Sequence, residues 1–168
     1  KTQDLLSVEI ESTDISRRYA ARIVKGVTID ESPKWLKDRL ESIGLRSINN
    51  VVDISNFVLM ELNHPIHTFD YDKIEGNKII VRRAREEEEV VTLDDQKRVL
   101  ISEDIVITDS KKVVAIAGVM GAANSEVDEN TKNILIEVAH FEPALIRKTS
   151  KRLTLSSDAS YRFERGID

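Results

Sequence analysis

Three short stretches of the chain combine small residues with isolated polar side chains. They are NHPIHTFD at 63–70, AIAGVMGAANSEV at 115–127 and LTLSSDASYRFERG at 153–166. Glycine and alanine leave backbone uncovered, so that a flat ligand can pack against it, and a few polar groups then fix the orientation of that ligand. The three stretches therefore predict a site that binds a small molecule.

Two histidines, His64 and His67, lie in the first of these stretches. No Asp or Glu lies beside them at the helical spacing of a zinc site, so the sequence predicts no metal site here. Two interpretations of His67 stay open. It is either a structural histidine with its hydrogen bonds satisfied, or a polar group at a pocket mouth that binds a substrate hydroxyl or a water.

Gly118 and Gly121 follow a predicted strand and bracket two apolar residues. Neither a GxGxxG motif nor the lysine of a phosphate-binding loop accompanies them, so nucleotide binding is not indicated. The pair fits a tight turn that needs a positive φ. It fits equally a stretch of bare backbone against which the ring of a ligand can lie.

Glu137 lies within the apolar strand-like segment ILIEVA. Strand alternation alone favours an exposed carboxylate, which avoids the cost of desolvation. If the side chain points inward, burial raises its pKa and makes it a selective acceptor for one donor. Ser156 and Ser157 lack the surroundings of a nucleophile elbow, so the sequence does not indicate an acyl-enzyme mechanism.

The chain has 168 residues, enough to bury a core without disulfides or metals. Cysteine is absent, which excludes disulfides and thiolate chemistry and fits a cytoplasmic protein. No apolar run approaches the roughly 18 residues that cross a bilayer, so we expect no membrane association. The net charge of −5 gives no overall attraction to nucleic acid. Between 144 and 168, however, six bases outnumber three acids: Arg147, Lys148, Lys151, Arg152, Arg162 and Arg165 against Asp158, Glu164 and Asp168.

The pattern of apolar residues predicts an α+β fold. The first half should contain a strand at 19–29, and a helix capped by Ser32 with Pro33 as its first residue and Gly44 after its end. The segment 51–62 is apolar nearly all round, so periodicity does not separate a buried helix from a buried strand, but its length and the following Asn63 favour a helix. Six short β runs and hairpin-like turns after Lys78 predict a mainly antiparallel or mixed sheet that curls towards a barrel.

Two helices should close the chain, one over PALIRKTSKRL and one beginning near Tyr161. We interpret residues 1–168 as a single module cut from a longer protein. Residues 1–75 should form a half that is rich in helix. Residues 76–168 should form a half that is rich in strands and ends in helices.

Five motifs carry a family resemblance that covers essentially the whole chain. In order they are RYAARIVKGV, GLRSINNVVDISNFVLMELNHPIHTFD, AGVMG with the following SEV, ILIE, and SSDASYRFERGID. Together they closely resemble the editing module, or B3/4 domain, formed by the third and fourth domains of the bacterial phenylalanyl-tRNA synthetase β subunit.

The resemblance implies post-transfer editing within a phenylalanine-tRNA ligase. The substrate would be the 3′ end of tRNA(Phe) that carries tyrosine in error, and the ester bond to tyrosine would be hydrolysed. The synthetase α subunit would be a partner in a heterotetramer. No cofactor is expected in this domain, because ATP and Mg²⁺ would act at the synthetic site elsewhere. The alternative is a non-catalytic module that binds tRNA or has an architectural role.

The resemblance also implies roles for single residues. Glu137 would accept the para-hydroxyl of tyrosine, and His67 would orient the ester or the attacking water. Gly121 would let the aromatic ring approach the backbone, and Gly118 would keep the preceding turn open. Arg46 would contact the tRNA terminus.

Ser157 and Ala159 would line the pocket around the amino acid. Two departures from the family pattern concern this region. Members of the family often carry threonine where Ser157 stands, and commonly a second glycine where Ala122 stands. If the position of Ala122 needs a positive φ, alanine would cost about 1 to 2 kcal/mol there.

Overall fold

A computed structural model describes residues 1–167 and confirms the α+β class with mainly antiparallel sheets. The strands are β1 Ser7–Ile10, β2 Arg18–Lys25, β3 His67–Asp70, β4 Lys78–Arg83, β5 Glu89–Val91, β6 Lys97–Val99, β7 Ile105–Thr108, β8 Val113–Ile116, β9 Met120–Gly121 and β10 Asn133–His140. The α-helices are α1 Lys34–Ser42, α2 Asn50–Leu62, α3 Pro143–Leu153 and α4 Asp158–Phe163. Within the described residues the strands form two open sheets and a separate hairpin, and they do not close into a barrel.

The larger sheet has the order β1-β4-β7-β8-β9. Its β1–β4 pair is parallel and its other pairs are antiparallel. Every residue of β7 and β8 is buried, as expected for continuous Val and Ile runs that are covered on both faces. This sheet supplies much of the main core and, at its β9 edge, one wall of the candidate site.

The smaller sheet has the order β2-β10-β3, with β10 in its centre. On one face of β10, Leu135 and Ala139 join the main core. On the other face, Ile134 and Ile136 belong to a second cluster that includes Val51 of α2. Because side chains alternate along a strand, Glu137 lies on the same face as Leu135 and Ala139 and also faces the main core. Glu137 carries the carboxyl group of the candidate site.

Helix α1 begins one residue later than the sequence predicts. Pro33 has a non-helical ψ of 144° and is the N-cap, so its prediction as the first helical residue is wrong. The hydroxyl of Ser32 does not cap α1, because it donates to Asp53 Oδ2 at 2.5 Å. Gly44 has a φ of +84°, which confirms the left-handed residue predicted beyond the helix.

Helix α2 confirms the helix predicted over the apolar segment and is capped by Asn49, whose side chain accepts from two backbone amides. Asn63 ends it with a φ of 55°. At the other end of the chain, α3 has the predicted bounds. Helix α4 begins at Asp158, earlier than the predicted start near Tyr161, because Ser157 caps it. No described helix is long and apolar enough to cross a membrane.

Asp53 holds the loop between α1 and α2 in place. Its side chain is fully buried and accepts from the hydroxyls of Ser32 and Ser47, both at 2.5 Å, and from the backbone N–H of Ile48 at 2.9 Å. Three donors thus depend on one carboxylate, and each would be left without a partner if that carboxylate were removed.

We expect Asp53→Ala to lower the free energy of unfolding by about 3 kcal/mol, since it leaves three donors without a partner, one of them the buried hydroxyl of Ser32, and loosens the loop. Chemical denaturation measures this loss. Asp38→Ala is the matched control, because among the described residues Asp38 pairs only with Lys34, on the exposed face of α1, and should contribute little. Equal stability losses in the two variants would contradict the role given to Asp53.

Candidate active site

A small cavity lies between the two sheets and has a volume of about 70 Å³. Its walls come from β3 and the two residues before it, from β7, β8, β9, β10 and α4, and from the turn between β8 and β9. Five of the residues singled out from the sequence line it: His67, Gly118, Gly121, Glu137 and Ala159. The fold therefore brings together residues that lie up to 92 positions apart in the sequence, from 67 to 159.

Glu137 points into this cavity. Only 5% of its surface is exposed, and His67 lies directly opposite it in the register of β3 against β10. The phenol of Tyr19 donates a hydrogen bond to Glu137 Oε2 at 2.9 Å. Burial raises the pKa of Glu137 to about 8, and the bond from Tyr19 partly opposes that rise. Of the two arrangements open from the sequence, the inward carboxyl is the one present.

His67 is a neutral imidazole at the edge of the cavity. Burial lowers its pKa to about 4, so the ring carries no charge near pH 7. The ring meets Phe69 edge-on, with 4.5 Å between the ring centroids. Its nitrogens make no hydrogen bond to another described residue. The side chain can therefore offer one N–H donor and one acceptor nitrogen to a ligand or a water.

Gly118 and Gly121 of the candidate site are favoured as glycine for different structural reasons. Gly118 has a φ of +65°, and a Cβ there would lie 3.0 Å from the ring of Phe163, so it fits the tight-turn interpretation. Gly121 has no positive φ. A Cβ on Gly121 would lie 2.7 Å from both Cε1 and Nε2 of His67. The bare backbone at Gly121 thus accommodates the imidazole of His67.

The cavity must widen to admit an aromatic ring. Its volume of about 70 Å³ is smaller than the about 150 Å³ of an engineered cavity that binds benzene. The imidazole of His67 and the side chain of Met120 form part of the wall. Both side chains can rotate, and Met is the most adaptable of the lining side chains because it is unbranched.

A second and larger cavity shares His67 with the first as a lining residue. Its volume is about 380 Å³, within the range of about 300 to 1,000 Å³ that is usual for ligand pockets. Ile66 and His67 line both cavities. The second cavity is further lined by Ile48, Asn49, Val52, Ser55, Asn56, Thr68, Leu93, Glu126 and Val127. Arg46 is exposed in the adjoining loop, two residues before Ile48, and lies outside both cavities.

Ser157 lies beside the first cavity and does not line it. Its hydroxyl donates to the carbonyl of Val119 at 2.7 Å and accepts from the N–H of Ser160 at 3.0 Å. The side chain thus caps α4 and joins it to a wall residue of the cavity. Ala122 has an ordinary extended backbone, with φ −89° and ψ 146°, so the strain expected if its position needed a positive φ does not arise.

A comparison of the whole sequence with known families identifies the family of the chain. The family model for the B3/4 domain matches residues 15–168. The chain belongs to the B3/4 domain family. Among the described residues of this B3/4 domain, no group of three or more His, Cys, Asp or Glu side chains is placed to hold a metal ion.

The B3/4 domain is similar to part of several curated proteins. It is 53% identical to the phenylalanine–tRNA ligase β subunit of Protochlamydia amoebophila over 97% of this chain and 20% of that protein. It is also 53% identical to the β subunit of Syntrophotalea carbinolica, over 99% of this chain and 21% of that protein. The chain thus spans about a fifth of the length of these relatives.

A solved structure shares the fold of the B3/4 domain. It is an N-terminal fragment of the phenylalanyl-tRNA synthetase β subunit from Pyrococcus horikoshii, with a TM-score of 0.60. The match covers 88% of this chain and 49% of that chain, at 17% sequence identity. At that identity the comparison supports the architecture alone.

Sequence reasoning missed one polar member of the site, Tyr19. It lies in the strand β2, whose alternate residues Ala21 and Ile23 pack against the main core with it. The alternation of residue types along β2 could have indicated from the sequence that Tyr19 points inward. A buried phenol needs a hydrogen-bond partner, but the sequence did not show that the partner is Glu137.

Proposed function

We propose that this chain is the editing module of a phenylalanine–tRNA ligase β subunit and hydrolyses the ester of tyrosine mischarged onto tRNA(Phe). The observation that carries the proposal is a carboxyl group, Glu137, enclosed between two sheets beside an imidazole and bare backbone. The similarity to phenylalanine–tRNA ligase β subunits over nearly the whole chain supports it.

Glu137 would distinguish tyrosine from phenylalanine by one oxygen. Oε2 of Glu137 accepts a hydrogen bond from the phenol of Tyr19, and the other carboxyl oxygen makes no hydrogen bond to a described residue. A bound tyrosine would place its para-hydroxyl against that free oxygen. Phenylalanine would leave it without a partner, at a cost of about 1 to 3 kcal/mol for a neutral group and more for a charged one. Sites built to bind a substrate hydroxyl can reject the analogue lacking it by about 10⁴ to 10⁵.

His67 would position the reacting groups. With a pKa of about 4 the imidazole is a weak base. Its role would therefore be to make a directed hydrogen bond to the ester or to the attacking water. Rate enhancement would then come from positioning and from polar stabilisation of the oxyanion, together with the neighbouring hydroxyl of the terminal ribose. Ser157 forms no covalent intermediate in this scheme, because its hydroxyl is held in the cap of α4.

The terminal nucleoside would occupy the second cavity. An ester whose phenol reaches Glu137 would extend past His67, and that side chain also lines the larger cavity. Arg46 is exposed beside this cavity and would contact the phosphates of the tRNA next to the terminal nucleoside. We propose the tRNA(Phe) 3′ end and the synthetase α subunit as partners. Hydrolysis here would use no cofactor of its own, and ATP and Mg²⁺ would serve the synthetic site elsewhere.

The non-catalytic alternative depends on the basic residues of the last 25 positions. Four of the six bases are engaged by acidic neighbours: Lys148 with Glu103, Arg152 with Asp104, Arg162 with Asp158 and Arg165 with Glu164. Local acids therefore offset most of this charge, which weakens the attraction expected for a phosphate backbone. The enclosed carboxyl group favours the editing proposal.

A deacylation assay on the intact synthetase that contains this chain tests the proposal. Tyr-tRNA(Phe) and Phe-tRNA(Phe) are supplied separately, and release of each amino acid is followed over time. The proposal expects rapid loss of tyrosine and slow loss of phenylalanine. Salt-sensitive tRNA binding with no hydrolysis of either ester would instead support the non-catalytic alternative.

His67→Ala should lower the rate of Tyr-tRNA(Phe) deacylation by about 10² while leaving the preference for the tyrosyl ester largely intact, because the positioning of water is lost and Glu137 remains. Single-turnover deacylation of both esters measures this. His140→Ala is the matched control, since His140 lies on β10 outside both cavities. An unaltered rate in the His67 variant would remove His67 from the mechanism.

A further inference from the structure

Tyr19 makes the one hydrogen bond that the described residues give to the side chain of Glu137. It lies on β2 two positions from Ala21, which is the direct partner of Glu137 across the β2–β10 pair. The two side chains are therefore diagonal neighbours on the inner face of the sheet. Their bond of 2.9 Å joins the phenol oxygen to Oε2 and leaves the second carboxyl oxygen for the cavity.

We propose that Tyr19 is a positioning residue for substrate selection, because its phenol fixes one carboxyl oxygen of Glu137 so that the other meets the para-hydroxyl of a bound tyrosyl group. The inference rests on the proposed editing function. A glutamate has three rotatable side-chain bonds, and an unanchored carboxyl group would sample orientations that point away from the ligand. The bond from Tyr19 removes that freedom before the substrate arrives.

The phenol of Tyr19 stays a donor at every pH at which the enzyme would work. Burial, together with the neighbouring Glu137 carboxylate, raises the pKa of Tyr19 well above its ordinary value of 10.0. Oε2 is consequently the acceptor whether Glu137 is neutral or ionised. The proton that Glu137 gains or loses must then sit on the oxygen that faces the cavity.

The charge state of this oxygen decides how it meets a phenol. Below a pH of about 8 the neutral carboxyl presents an O–H, and above it the carboxylate is an acceptor only and forms the stronger, charge-assisted bond. The titratable groups that face Glu137 are Tyr19 on β2 and the neutral His67 on β3. The described cavity residues of β7, β8, β9 and α4 are not titratable.

Tyr19→Phe in the intact synthetase tests the inference. Deacylation of Tyr-tRNA(Phe) and Phe-tRNA(Phe) is measured from about pH 6.5 to 9, and the ratio of the two rates is plotted. For the unmodified enzyme the ratio should rise through about pH 8. In the variant the ratio should fall about tenfold, as expected for one lost hydrogen bond, and its midpoint should move to higher pH.

Tyr71→Phe is the matched control. Tyr71 is buried and does not line the cavity, and its hydroxyl donates to the carbonyl of Leu5 at 2.8 Å instead of to Glu137. The Tyr71→Phe variant should lose about as much stability as Tyr19→Phe. It should keep the unmodified ratio of the two deacylation rates and the same pH midpoint of that ratio. A Tyr19 variant that behaves like the Tyr71 variant, or an unmodified enzyme whose ratio is flat across this pH range, would overturn the inference.

Glu137→Gln separates the failure of this inference from that of the proposed function. If Glu137→Gln loses the preference for the tyrosyl ester and Tyr19→Phe retains it, Glu137 selects the substrate without help from Tyr19. If the unmodified enzyme hydrolyses neither ester, the editing proposal itself fails, and the inference fails with it.

Discussion

Glu137→Ala should reduce the preference for Tyr-tRNA(Phe) over Phe-tRNA(Phe) by at least about 10² in deacylation by the intact synthetase. Above about pH 8, where Glu137 is a carboxylate, the variant removes the buried acceptor that phenylalanine leaves unpaired, and hydrogen bonds to charged groups contribute about 1.5 to 3 kcal/mol. The loss should fall mainly on the tyrosyl ester. Rates for the phenylalanyl ester should change little, because that substrate makes no bond to the carboxyl oxygen.

Glu129→Ala is the matched control for this experiment. Glu129 is exposed and lines neither cavity, so its removal takes away a side chain of the same type and leaves the site intact. Its deacylation rates should match those of the unmodified enzyme. Undiminished selectivity in Glu137→Ala would show that another group reads the para-hydroxyl.

Gly121→Ala should lower Tyr-tRNA(Phe) deacylation by about 10², because a displacement of about 1 Å in a positioning group can cost that much. The new methyl would lie 2.7 Å from the imidazole of His67, which must move. The second cavity offers space for that movement, so stability should fall only slightly. Single-turnover deacylation and thermal denaturation measure the two effects.

Gly26→Ala should show the opposite pattern. Gly26 has a φ of +71°, and no described atom lies within 4 Å of the place that a methyl group would take, so alanine there strains the backbone without crowding any neighbour. We expect a stability loss of about 1 kcal/mol and full deacylation activity. Full activity in Gly121→Ala as well would contradict the close approach of His67 as a requirement of the site.

The strands and helices were largely predictable because their residues repeat with the period of a strand or a helix. Helix α3 follows from such a local pattern, whereas α2 is apolar nearly all round and was indicated by its length and by Asn63 after its end. The start of α1 was not predictable, because Ser32 binds Asp53, a residue 21 positions away in the sequence. A local capping rule contains no information about such a distant competitor.

The sequence alone also could not show whether the side chain of Glu137 points into the protein or towards solvent. Strand β10 is covered on both faces, by the main core on the side of Leu135 and by the cluster near α2 on the side of Ile136. Alternation cannot separate an inner from an outer face when both are apolar. The resemblance to a known family suggested the inward side, and the bond from Tyr19 became visible only in three dimensions.

The size of the first cavity adds a condition that no sequence pattern contains. At about 70 Å³ it is too small for a phenol ring as it stands, so tyrosine binding requires His67 or Met120 to move. Movement of His67 in particular would also open a path between the two cavities, since His67 borders both. Substrate entry and the placement of the imidazole would then be a single event.

A crystal structure of the synthetase soaked with tyrosine tests the central claim most directly. The account predicts that the phenol oxygen lies within about 2.5 to 3.0 Å of the free carboxyl oxygen of Glu137, with the ring beside Gly121 and Tyr19 still bonded to Oε2. Tyrosine bound elsewhere in this domain, with the carboxyl group of Glu137 untouched, would contradict it.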